Sequence, residues 1–150
     1  MHYIPVAGKL LISGNAIPAL LVLSQTAPKP THSILALRGI ARLTSQSGKP
    51  ANEKLDIVRT AMEAATRDEE KQLLLGTLGD IKTLEAVRLA EPYLANEGLK
   101  GAAAETVLRI GRDLNGQPLR DARPVFEKAL AATQNENTQR DLREQIKRAN

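Results

Sequence analysis

A hydrophobic stripe of helical period returns again and again along this chain, and it restricts the fold more than any other feature. Apolar residues recur at intervals of three and four within segments 15–26, 31–46, 52–66, 69–79, 83–95, 98–113, 120–133 and 137–149. Short runs of Gly, Pro, Asn or Asp separate them, so the pattern predicts eight helices with tight connections. Each segment has a plausible start. Thr31 follows Pro30, Asn52 precedes Glu53, Asp68 precedes Glu69 and Glu70, and Thr83 precedes Glu85. Short polar side chains there can accept bonds from unpaired helix N–H groups, and acids favour the positive end of the helix dipole. Stops fall at Gly48-Lys49-Pro50, Asn96-Glu97-Gly98 and Asn115-Gly116-Gln117-Pro118. Pro92 is expected to bend or break the segment that contains it, because it cannot donate a hydrogen bond to Arg88.

The stripes also resemble one another. Ala36, Leu37, Ile40 and Leu43 are matched by Leu74, Leu75, Leu78 and Ile81, then by Ala103, Ala104, Val107 and Ile110, and more weakly by Leu142 and Ile146. A second set runs through Leu55, Val58 and Met62, through Val87, Leu89 and Leu94, and through Val125, Ala129 and Leu130. Two alternating kinds of stripe are what a stack of about four helical hairpins requires. The spacing varies because loops on a stack can vary in length. Composition agrees with an all-α chain: Ala and Leu dominate, and Tyr3, Tyr93 and Phe126 are the whole aromatic complement. A chain of 150 residues reads as one domain, 1–150, with a core of its own.

Leu99-Lys100-Gly101-Ala102-Ala103-Ala104-Glu105-Thr106-Val107-Leu108-Arg109-Ile110-Gly111 resembles the second helix of a HEAT repeat. There an aliphatic-basic pair is followed by two small residues, an aliphatic residue and Ile-Gly. A wider likeness runs through Ala16–Leu21, Ile34–Gly39, Glu53–Leu55, Asp68–Lys71 and Leu74–Gly79. Those stretches are similar to helical-repeat regions of bacterial proteins, some of which also carry a β-rich sugar-hydrolase module of the 3-keto-disaccharide type. The resemblance implies an α-α superhelix (a right-handed solenoid) of HEAT-like hairpins, a scaffold role as a region of a longer chain, and an exported bacterial protein.

No motif for catalysis is legible. His2 and His32 are the only histidines and lie 30 residues apart, and there is no Cys, so a metal centre is not expected. Gly-x-Ser-x-Gly and phosphate-loop patterns are missing. The acids sit at helix starts and on polar faces, with Asp68-Glu69-Glu70 read as complementing a helix dipole. These observations predict neither catalytic residue nor cofactor. Leu10–Leu23 follows Lys9 and superficially resembles a leader, but Gly14, Asn15 and Pro18 interrupt it and no clear small-x-small cleavage site comes after it. The run reads instead as a helix start with Leu20, Leu21 and Leu23 as its buried stripe. It is too short and broken to span a bilayer.

Charge supplies the binding candidates. Residues 1–50 hold five basic and no acidic groups, 51–100 hold seven and ten, and 101–150 hold nine and seven. Second helices of a solenoid commonly line its inner face. Arg38 and Arg42 lie one turn apart, Lys71 and Lys100 occupy matching positions, and Arg109 and Arg112 sit on a later helix. Together these six form the expected basic strip, suited to carboxylates or phosphates. The competing expectation is ordinary surface charge, with Arg109 paired to Glu105. The repeat and the missing catalytic motifs make a non-catalytic scaffold for a protein partner the leading function, and the resemblance implies a role accessory to a carbohydrate-degrading enzyme. The alternative is binding of nucleic-acid phosphates, as some HEAT-like DNA glycosylases do, and a third is a bilin lyase of HEAT type. Apolar faces left on terminal repeats predict an end-to-end homodimer.

Overall fold

The computed structural model describes residues 16–150; Tyr3, Lys9 and the stretch from Leu10 to Asn15 lie outside the described residues. Among the described residues there are eight α-helices and no strand. We label them α1 (Ile17–Thr26), α2 (Pro30–Gln46), α3 (Ala51–Ala64), α4 (Asp68–Leu78), α5 (Leu84–Ala90), α6 (Lys100–Gly111), α7 (Gly116–Ala132) and α8 (Glu136–Arg148). All eight predicted helices are present. A short 3-10 helix, Glu91–Ala95, continues α5, so Pro92 breaks the segment near Glu91 and tightens its last turn.

The helix starts use fewer side-chain caps than expected. Thr83 caps α5 by accepting from the Ala86 N–H at 3.2 Å, and Asn135 caps α8 through Thr138 at 3.0 Å. At α2 and α3 the residues in the cap position are Lys29 and Pro50, and no side chain bonds to the helix start. Proline at the first position of α2 leaves one fewer N–H to satisfy. The same logic moves the start of α7. Gly116, Gln117 and Pro118 form its first turn rather than a stop, because a missing proline N–H costs nothing there, and Gly116 adopts φ 61°, open to glycine at no steric cost.

The chain forms two compact units, residues 1–77 and 78–150. In the first, α1 packs on α2 and α3, α2 packs on α3, and Thr77 of α4 donates its hydroxyl to the Ala41 carbonyl of α2 at 3.3 Å. The core here includes Ile17, Leu20, Ala36, Leu37, Ile40, Leu43, Leu55, Val58, Met62, Leu74 and Leu75. The buried line of α1 is Ile17, Leu20 and Ser24; Leu23 is 41% exposed and Leu21 half-buried, contrary to the expected stripe. A nearly all-apolar helix carries no periodic contrast, so its sequence does not say which side turns inward.

In the second unit α6 packs on α5, α7 and α8, and α7 also packs on α5 and α8. Its core includes Val87, Leu99, Ala103, Ala104, Val107, Ile110, Val125, Phe126, Ala129 and Leu142. Leu89, Leu130 and Ile146, placed in stripes by periodicity, are only half-buried; Ala86, Ala90 and Gln145 take the inward positions. The Ile110-Gly111 pair has a direct packing reason. A Cβ on Gly111 would lie 2.6 Å from the Phe126 ring, so only a residue without one lets that ring seat against α6.

Candidate functional site

The charged group buried most completely in the first unit is a carboxylate. Glu70, in the first turn of α4, is 1% exposed. It lies four residues before Leu74, so the apolar face of α4 carries it inward with Leu74 and Leu78. Burying a lone carboxylate is costly, and this one is accordingly paired on two sides. Arg67 grips it as a fork, Nε donating to Oε1 at 2.7 Å and Nη2 to Oε2 at 2.9 Å. Arg38, from α2, donates through Nε to Oε2 at 3.4 Å. The hydrogen bonds and charge of Arg67, aided by Arg38, outweigh desolvation and hold the Glu70 carboxyl below its ordinary range. Glu70 is therefore an ionised anchor with both oxygens occupied, unsuited to passing a proton.

The expectation that Glu70 simply complements the α4 dipole is thus too weak: its carboxylate orients a guanidinium. Arg67 lines a cleft of about 510 Å³. One side is formed by Ala27, Pro28 and Pro30 at the α1–α2 connection, with Ile34 and Leu37 of α2; the other by Glu63, Ala64 and Thr66 at the end of α3. The α1–α2 corner is fastened where the Ser33 hydroxyl donates to the Ser24 carbonyl at 2.6 Å. Thr44, fully buried in α2, has a hydroxyl with no hydrogen-bond partner among the described residues.

The six basic residues read from the sequence occupy two different settings. In the first unit Arg38 turns to Glu70, while Arg42 is exposed and Lys71 half-buried, neither in an ion pair among the described residues. In the second unit Lys100 pairs with Glu97 at 3.1 Å, Arg109 with Asp80 at 2.5 Å and Arg112 with Asp141 at 2.8 Å. Arg109 meets an acid 29 positions earlier and Arg112 one 29 positions later. Asp141 is held below its usual range mainly by Arg140 beside it, with Arg112 adding to the effect. Lys82 donates to the Gly79 and Arg109 carbonyls, and Arg148 donates to those of Gly111 and Leu114. Four of the six cations are thus engaged by acids of the same unit.

Arg67 and the burial of Glu70 escaped the sequence reading, although a signal was present. Counting back four from Leu74 along the buried stripe lands on Glu70, and three more residues give Arg67, the spacing of an i, i+3 pair. A second cleft, about 560 Å³, lies in the second unit beside Glu91, Pro92, Leu94, Ala95, Lys128 and Ala131, with Glu91 and Lys128 paired at 2.5 Å. Among the described residues no group of three or more His, Cys, Asp or Glu could hold a metal ion, and His32 is exposed in the first turn of α2. No helix among them is long and apolar enough to cross a membrane. Comparison with family models, with curated proteins and with solved structures gave no match.

Proposed function

We propose that the chain is a non-catalytic scaffold of HEAT-like helical hairpins that binds another protein. The observation that carries this reading is the repeated helix register. In the second unit each helix packs on its neighbour and on the next but one, and the Asp80–Arg109 and Arg112–Asp141 pairs tie together residues distant in sequence within that unit. A stack of hairpins packs in that order, and stacks expose long surfaces of the kind that recruit partners. The likeness to repeat regions found beside sugar-hydrolase modules favours a carbohydrate-degrading enzyme as the neighbour, in an exported bacterial protein.

Capture of a partner by the immobilised full chain, followed by reassembly from two purified proteins, tests the reading. Failure of the purified pair to associate sinks it. Phosphate binding by the basic strip is the rival. It is weakened by the local pairing of Arg38, Lys100, Arg109 and Arg112. Anisotropy of a labelled DNA duplex at two salt concentrations separates the two, since phosphate contacts lose affinity steeply as salt rises. Exposed Val22, Leu23, Leu35 and Leu73, all in the first unit, favour self-association of that unit, which light scattering across a concentration series would reveal.

A further inference from the structure

Surface arginines usually lack a fixed partner, but Arg67 has one. Its Nε and Nη2 are committed to a carboxylate that is itself 1% exposed and held from behind by Arg38. A guanidinium has five N–H donors in one plane, so fixing two of its nitrogens fixes the direction of the third. Nη1 meets no acceptor among the described residues, and Arg67 lines the cleft of the first unit. Arg67 thus brings to the cleft a guanidinium with Nη1 uncommitted, whose ordering cost was met when the chain folded.

The surroundings identify the acceptor. Pro28, Pro30, Ile34 and Leu37 supply an apolar wall. The charge of Glu70 is matched by Arg67 and Arg38, and Glu69 lies 3.5 Å from Arg67. Glu63, exposed on the rim, has no ion pair among the described residues. Little net positive charge remains to hold a phosphate or a second carboxylate, so a neutral carbonyl suits Nη1 better and a cation suits Glu63. A volume of about 510 Å³ lies within the usual range for ligand clefts, about 300–1,000 Å³. We infer that this cleft binds an extended peptide segment of a partner protein, its backbone carbonyl on Arg67, an apolar side chain against Pro28, Pro30, Ile34 and Leu37, and a basic side chain at Glu63. The inference rests on the scaffold reading and gives that partner a chemistry.

The test uses the full chain, ¹⁵N-labelled, and two capped tripeptides, Leu-Leu-Lys and Leu-Leu-Glu. Titration with Leu-Leu-Lys should produce saturable amide shifts centred on Ser33, Ile34, Thr66 and Arg67, and Leu-Leu-Glu should bind roughly two- to fivefold more weakly, as a rim charge allows. Glu63 is exposed, so Glu63→Lys should fold normally and reverse the preference. Ile34→Ala should weaken both peptides together. Absence of saturable shifts at these amides, shifts centred elsewhere, or an unchanged preference in Glu63→Lys overturns the inference. A purified partner that binds Glu63→Lys and Ile34→Ala as well as it binds the parent chain also overturns it, while leaving the scaffold reading standing. Peptide shifts at the cleft in a chain that assembles with no partner would do the reverse.

Discussion

The two units solve the burial of charge in opposite ways. Residues 1–77 bury a carboxylate, Glu70, and surround it with arginines, while leaving Val22, Leu23, Leu35 and Leu73 exposed. Residues 78–150 keep their ion pairs at the surface, as in Asp80–Arg109, and place none of the large exposed hydrophobics. Their centre is a ring, Phe126, seated on a glycine. A buried ion pair adds little net stability over an apolar replacement, yet losing one partner is costly. The first unit is therefore vulnerable to loss of one charged partner, and the second to loss of shape.

That contrast can be broken at several points, beginning with the largest effect. Phe126→Ala removes the largest fully buried side chain among the described residues, and urea unfolding should show a loss of about 3–5 kcal/mol. A loss below about 1 kcal/mol would mean that shape does not hold the second unit. Glu70→Gln comes next. It keeps the volume but not the charge that Arg67 and Arg38 require, and about 1–3 kcal/mol should go.

The same residue sharpens the comparison by pH. The native carboxyl of Glu70 lies below its ordinary value of 4.5. Its contribution is therefore complete above that value and disappears as pH falls through the lower native one. Parent and Glu70→Gln stabilities should differ most at neutral pH and converge in acid. Asp141 is also depressed, so the variant keeps a smaller acid sensitivity.

Gly111→Ala should cost about 1–3 kcal/mol, because the new methyl must displace the Phe126 ring. In the double variant with Phe126→Ala most of that cost should vanish, and an additive result would place the strain elsewhere. The smallest effect belongs to the surface pair. A double-mutant cycle on Asp80 and Arg109, both substantially exposed, should return about 0.2–1 kcal/mol and shrink with added salt. A larger, salt-insensitive coupling would make the second unit as dependent on charge as the first.

How much of this was legible beforehand depends on the range of the interactions. Helix positions and the stripes of α2, α3, α6 and α7 are local: period 3.6 writes them into the order of residues. The cap at Thr83 is local too, an acceptor three residues before its donor. Where periodicity lacks contrast, as in α1, the inward face could not be told, and Leu23 fell on the wrong side. The basic strip illustrates the other limit. Arg38, Arg42, Lys71, Lys100, Arg109 and Arg112 are legible as charges, but the acids that engage four of them are not all nearby in sequence.

Sequence alone, then, determined that the chain is helical, where the eight helices lie and which stripes carry most of the core, because those properties depend on neighbours within one or two turns. Tertiary structure decided the distant partners. Arg109 met Asp80, and Glu70 became a buried anchor for Arg67 and Arg38. Ion pairs depend on distance in space and on the water excluded around them. Residues 29 or 32 positions apart meet only after the helices between them have packed.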